Sequence, residues 1–241
     1  MFKIIKKLFH IALFIVFVLV SIILYKGYVM YEFAINSCNI EEKVEIIKSK
    51  DYYVPIDEVS DDFLIALISV EDRRFYEHLG VDRISTGRAI MTNIIERRFA
   101  EGGSTITQQL AKNLYFDRAK KIERKVAELF VVFQLERKYT KDEILEMYIN
   151  IIYYGDGFTG IGNASEGYFG VHPSKLSRLD SILLAGLPQS PSYYALSKNP
   201  EGAKLRMDSV IDAMAENSLI TKLEFEELLK EVETYEVKII E

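Results

Sequence analysis

The sequence predicts a mainly α-helical protein behind one apolar N-terminal helix, and three observations carry that prediction. Leu8 to Tyr25 is a run of 18 residues without a formal charge apart from the titratable His10. Downstream, apolar residues recur at the three- and four-residue spacing of helices rather than in strand-like alternation. Helix-start signatures precede these runs, among them the capping boxes Thr105 with Gln108, Thr140 with Glu143 and Thr221 with Glu224.

The N-terminal run approaches the roughly 20 residues that a helix needs to cross a bilayer. It exceeds the apolar core of about 7 to 15 residues usual in a cleaved signal peptide, and no small-residue cleavage site follows it. Residues 8–25 therefore read as an uncleaved anchor. Lys3, Lys6 and Lys7 precede it, whereas Lys26 alone follows closely, so the positive-inside rule puts residues 1–7 in the cytoplasm and the rest outside. Glu32, Glu41, Glu42 and Glu45 interrupt apolar residues over 26–51, which read as a juxtamembrane connection. Residues 52–241 remain for one sizeable domain. Hydrophobic content of 49% with 27% charged residues is that of a globular chain, and the net charge of −6 gives no support to nucleic-acid binding. Cys38 is the only cysteine, which excludes an internal disulfide and argues against a thiolate metal site.

Within the domain, Ser60 reads as the N-cap of a helix with Asp61 and Asp62 in its first turn, where the helix dipole favours them. Phe63, Leu64, Leu67 and Ile68 form its apolar face, and it ends in Glu71, Asp72, Arg73, Arg74, Glu77 and His78. A carboxylate at that helix end against an apolar wall has its ionised form disfavoured, which suits a general acid or base. A solvated charge run is the competing reading. The next stretch carries an apolar stripe of Ile84, Ile90, Met91, Ile94, Ile95 and Phe99 bracketed by Arg88, Arg97 and Arg98. It fits either a bilayer surface or core packing.

Gly102 to Asn113 reads GGSTITQQLAKN, a loop breaking into a helix. Thr105, Gln108, Gln109 and Lys112 share one face, with Ile106, Leu110 and Leu114 behind. Free backbone N–H groups at its start, the dipole and the lysine could together hold phosphate; an amphipathic helix with a solvated face is the alternative. After it, Lys121, Arg124, Lys125 and Glu128 share a face, so Glu128 stands among cations, as a salt-bridged structural residue would also do. The G-x-G-x-x-G match in GDGFTG (155–160) follows a helical pattern rather than a strand, so it reads as a turn and not as a dinucleotide site. A helical run from Ser177 to Leu187 and a final helical pair follow, with a short strand expected from Tyr235 to Ile240.

Five of these segments, in order from about Val54 to about Tyr194, resemble the motifs of the peptidoglycan glycosyltransferases, family 51 of the glycosyltransferases, and in particular the monofunctional biosynthetic transglycosylases. They are EDRRFYEHLG (71–80), GGSTITQQLAKN (102–113), RKVAE (124–128), KDEILEMYIN (141–150) and LLAGLPQSPSYY (183–194). Val171-His172 and Ala195-Leu196 depart from the family's usual pattern.

The resemblance implies a lysozyme-like fold with a head and a smaller membrane-facing jaw, the jaw around Arg88 to Phe99. It implies polymerisation of lipid II into β-1,4-linked glycan, with release of undecaprenyl pyrophosphate. Glu71 is then the general base on the acceptor's 4-hydroxyl, and Glu128 the second carboxylate, near the departing pyrophosphate. Arg88, Lys112, Arg124 and Lys125 would supply cations there, and Ser104, Gln108 and Gln109 hydrogen bonds. Further motif positions are Asp72, Phe75, His78, Gly80, Gly102, Gly103, Thr105, Asn113, Glu146, Tyr148 and Asn150. No cofactor is required, although a divalent cation, Mg2+ or Mn2+, could assist the pyrophosphate; no dedicated ligand cluster is readable. With no S-x-x-K and little chain after Tyr194, an acyl-serine transpeptidase domain is not expected, and separate transpeptidases and cell-wall synthesis proteins would be partners. A lytic transglycosylase or muramidase, and an inactive cell-wall scaffold, are the alternatives.

Overall fold

The structure, a computed structural model, describes residues 2–96, 102–116 and 121–236, the side chain of Ile90 excepted. Helix α1 (Phe2–Ser37) contains the expected anchor and continues beyond it. Its mean hydropathy reaches 2.8 over 18 residues, and it is long and apolar enough to cross a membrane. The rest of α1 and all of α2 (Ile40–Lys48) build the segment read as a connection. Asn39 and Glu42 close a capping box on α2, whose Ile40, Val44 and Ile47 are buried.

There follow α3 (Asp61–Glu71), α4 (Arg83–Glu96), α5 (Ile106–Tyr115), α6 (Ile122–Lys138) and α7 (Lys141–Ile151). A hairpin of β1 (Tyr153–Gly155) and β2 (Phe158–Thr159) leads to α8 (Ile161–Phe169), α9 (Arg178–Gly186), α10 (Pro200–Glu216) and α11 (Lys222–Thr234). The three capping boxes read from the sequence close as written, at the starts of α5, α7 and α11. Ser60 stands at the N-cap position of α3 but makes no side-chain capping bond; its amide donates to the Pro173 carbonyl at 3.2 Å.

The core is contiguous. Helix α3 packs on α9 and α10, and α5 packs on α6 and α7. Phe63, Leu67, Leu110, Leu135, Ile144, Tyr148 and Tyr154 are fully buried, and each such aliphatic or aromatic side chain contributes about 1.5–3 kcal/mol. GDGFTG is the turn of the β hairpin, with Asp156 at φ 49° and Gly155 at φ 98°. A Cβ on Gly155 would come within 2.7 Å of the Pro191 carbonyl oxygen, so the glycine serves close approach as well as the turn.

Two expectations are revised. Ile84, Met91, Ile94 and Ile95 on α4 are all well exposed, so core packing is not what these residues do; Arg97, Arg98 and Phe99 of the same stripe lie outside the described residues. Tyr235 and Glu236 form no strand, and the rest of the expected tail strand also lies outside the described residues.

Candidate active site

The site starts from the way α3 ends. Asp72 follows Glu71 with a buried carboxylate, which accepts the Ile106 amide at 3.0 Å and lies 2.9 Å from His78 Nε2. Thr105 accepts the Gln108 amide at 3.1 Å and donates its own hydroxyl to the Gly80 carbonyl at 2.6 Å. Gly80 has φ 80°, and a Cβ there would meet Val132 Cγ1 at 2.3 Å. The end of α3, the turn at 78–80 and the start of α5 are thus joined, which fixes where Glu71 points.

This geometry corrects two readings. The N-terminus of α5 already holds a carboxylate, Asp72, so a phosphate there would meet like charge instead of free N–H groups. Gln108 is buried, its carbonyl occupied by the Thr105 amide at 3.1 Å, and it is not among the described residues that line the two cavities below.

Glu71 stands half-buried on a cleft of about 210 Å³ that Asp72, Asp82, Ser85, Arg88, Ser104, Gln189 and Arg206 also line. Gln109 Nε2 donates to Glu71 Oε2 at 2.6 Å, and the Tyr148 hydroxyl donates to Gln109 Oε1 at 3.1 Å. The tyrosine therefore sets which way the amide faces, and the amide orients the carboxylate. Burial pushes the Glu71 carboxyl above its ordinary value; the Gln109 bond and the charges of Arg206 and Lys112 pull the other way. That is the direction expected of a carboxylate at the apolar end of α3.

On α6, Arg124 pairs with the fully buried Glu128, and Lys125 Nζ lies 3.0 Å from Glu128 Oε2. Lys125 also reaches Ser104 Oγ at 3.2 Å, tying α6 to the loop that carries Gly102 and Gly103. A Cβ on Gly103 would stand 3.0 Å from that of Ala89, whereas Gly102 has open space around it. Lys112 and Asn113 line a second cavity of about 410 Å³ with Gln109, Tyr148 and residues 188–192. Gln189 borders both cavities.

Some motif residues are structural. Glu146 accepts the Tyr53 hydroxyl and, at 2.9 Å, the Ile56 amide; Asn150 exchanges hydrogen bonds with the Val54 backbone at 2.9 and 2.8 Å. Together they clamp residues 53–56 onto α7. Phe75 is fully buried with Lys141 over its ring at 4.5 Å. Sequence reasoning missed Arg206, Gln189 and Asp82. Asp82 takes the Ile84 amide and Arg74 NH2, and its place immediately before α4 was a readable capping signal. Arg206 lies far along the chain on a helix with no motif of its own, so nothing local marked it. Among the described residues, no three His, Cys, Asp or Glu side chains gather as a metal cage. Of the cleft carboxylates, Asp72 and Asp82 face His78 and Arg74, and Glu71 takes the Gln109 bond.

A helical domain with an oriented, desolvated glutamate in a cation-lined cleft has the make-up of a glycosyl-transfer enzyme. The chain belongs to the transglycosylase family, whose model matches residues 40–215, and so has the lysozyme-like fold of the family-51 peptidoglycan glycosyltransferases. It is 43% identical over 201 residues to penicillin-binding protein 1A/1B of Bacillus subtilis (strain 168), a match covering 83% of this chain and 22% of that one. Against penicillin-binding protein 1A of Aquifex aeolicus (strain VF5) it is 40% identical over 178 residues, 74% of this chain and 24% of the relative. Penicillin-binding protein 2D of Bacillus subtilis is 39% identical over 187 residues, 78% and 27%. The chain spans about a quarter of the length of these curated relatives.

Proposed function

We propose that this chain polymerises lipid II into β-1,4-linked glycan at the outer face of the cytoplasmic membrane, with α1 spanning the bilayer and its N-terminus inside. The observation that carries the reading is Glu71, desolvated, oriented by Gln109 and opening on the same cleft as Arg88 and Ser104. In the reaction, the acceptor's 4-hydroxyl oxygen forms a bond to the donor's anomeric carbon while the bond from that carbon to the pyrophosphate oxygen breaks. Glu71 takes the hydroxyl proton, and the undecaprenyl pyrophosphate departs with the bonding pair, inverting the centre.

A neutral sugar hydroxyl needs a base of raised proton affinity, and a departing pyrophosphate needs cations rather than a proton donor. A glycosidase must protonate an alkoxide and has no use for the Arg124–Lys125–Ser104 cluster. Glu128 then keeps the two α6 cations in register beside the leaving group. Any divalent cation would arrive with the pyrophosphate. The 241 residues hold no S-x-x-K, so the reaction proposed for them is glycosyl transfer alone, without an acyl-serine step.

The test is incubation of the full chain in detergent or vesicles with lipid II. Polymer is expected from the wild type, and Glu71→Gln should reduce turnover by at least about a hundredfold, the span of general-base catalysis, while the variant still folds and binds substrate. Near-normal polymerisation by Glu71→Gln would remove Glu71 from the role; shortening of finished glycan without polymer would mark a lytic enzyme.

A further inference from the structure

Arg206 is a cation of the Glu71 cleft that the sequence did not mark. It projects from α10, which packs on α3 and α9, whereas the loop of Ser104 neighbours α4 and α6, so the two groups reach the cleft from different elements. Its place is built: a Cβ on Gly186 would fall 2.8 Å from Arg206 Cγ, and Arg206 Nε donates to the Gly186 carbonyl at 3.4 Å. Among the described residues no carboxylate lies within ion-pairing distance of this guanidinium, although its charge is felt at Glu71. Burial disfavours its charged form, and the charge of Glu71 only partly offsets this. A desolvated guanidinium facing a polar cavity is completed by an oxyanion, which it holds through two parallel N–H bonds.

We propose that Arg206 binds an oxyanion of the acceptor, the substrate whose hydroxyl Glu71 deprotonates. This rests on the polymerase reading, in which two anionic lipid-linked substrates meet. The donor's pyrophosphate is met by Arg124, Lys125 and Ser104, and Arg206 serves the other substrate. The oxyanion is a phosphate or a carboxylate of the acceptor; both offer the same paired oxygens.

The test compares wild type, Arg206→Gln and Arg206→Lys as full chains in micelles. Arg206→Gln should raise KM for lipid II about tenfold to a hundredfold, the loss of one charge-assisted contact, and Arg206→Lys should restore part of it. Because the cation also favours ionised Glu71, the acid limb of the kcat/KM profile should move to higher pH in Arg206→Gln, which a merely structural role would not cause. Repeating the comparison with lipid II whose peptide carboxylates are amidated separates the sources: a persisting effect assigns phosphate, a vanished one carboxylate. Unchanged KM with an unchanged acid limb in a folded Arg206→Gln overturns the proposal. If the wild type makes no polymer, the polymerase reading falls by itself. Titration with inorganic phosphate then still decides Arg206: a binding site present in wild type and lost in Arg206→Gln supports the proposal, and the same number and strength of sites in both overturns it.

Discussion

Glu71 accepts from an amide whose other end is held by the Tyr148 hydroxyl, so the chemistry of one residue depends on the donor character of a second. Gln109→Glu is nearly isosteric but puts an acceptor where a donor stood. Two adjacent carboxylates cannot both ionise readily, so the acid limb of the pH–rate profile should move to higher pH and turnover at neutral pH should fall at least tenfold. A profile matching wild type would show that Gln109 does not orient the base. Asp82 behaves in the opposite sense. Burial opposes its ionisation, yet bonds from Arg74, Ser85 and the Ile84 amide outweigh it and hold the carboxyl well below the usual range. A depressed carboxyl stabilises the fold above its unfolded value of about 3.9 and loses that contribution only as pH falls through the folded value. Asp82→Asn should therefore cost about 2 kcal/mol at neutral pH, with the melting curves of variant and wild type converging only in strong acid.

At the scale of elements, most of the helices were legible because their starts carry their own chemistry. Thr105, Thr140 and Thr221 each close the box that their spacing announced. What spacing does not encode is which partner from elsewhere arrives at a helix end. Asp72 reaches the first amide of α5 across 34 positions, and that contact turned an apparent phosphate cradle into a joint between α3 and α5. The hairpin at 153–159 was hidden for a related reason: its strands are two and three residues long, too short for alternation to show. The membership of Glu71 and Glu128 in recurring motifs was readable, whereas the entry of Arg206 into the cleft depends on how α10 lies on α3. The joint at the start of α5 also makes a stability prediction. Gly80→Ala places a methyl group 2.3 Å from Val132 Cγ1 at a positive φ, so it should destabilise by about 2–4 kcal/mol, from overpacking and backbone strain together. A melting temperature within a degree of wild type would contradict the packing.

On the scale of the whole molecule, α1 belongs both to the anchor and to the folded domain. Tyr31 packs on Phe130 with ring centroids 5.3 Å apart and takes a hydrogen bond from Gln134, and Gly27 fits so closely on α6 that a Cβ would lie 2.5 Å from that of Val126. A chain beginning at Lys26 should therefore melt like the full protein in detergent, whereas one beginning at Cys38 loses Tyr31 and Ala34 and should melt roughly 5 °C or more lower. Equal melting of the two would mean that this helix end contributes nothing to the domain. The contact at Val126 has a geometric corollary. Gly27 sits two residues beyond the charge-free run that ends at Tyr25, and Lys125 is the chain neighbour of Val126, with Glu128 about 3 Å of helical rise farther on. On the proposed reading, with residues 8–25 in the bilayer, the cations assigned to the leaving group are thus held at the level of the bilayer edge. An enzyme fixed at that height meets its substrates in two dimensions, so its rate should follow the mole fraction of lipid II in the membrane rather than its bulk concentration. Diluting the bilayer with inert lipid at constant total lipid II would read this directly.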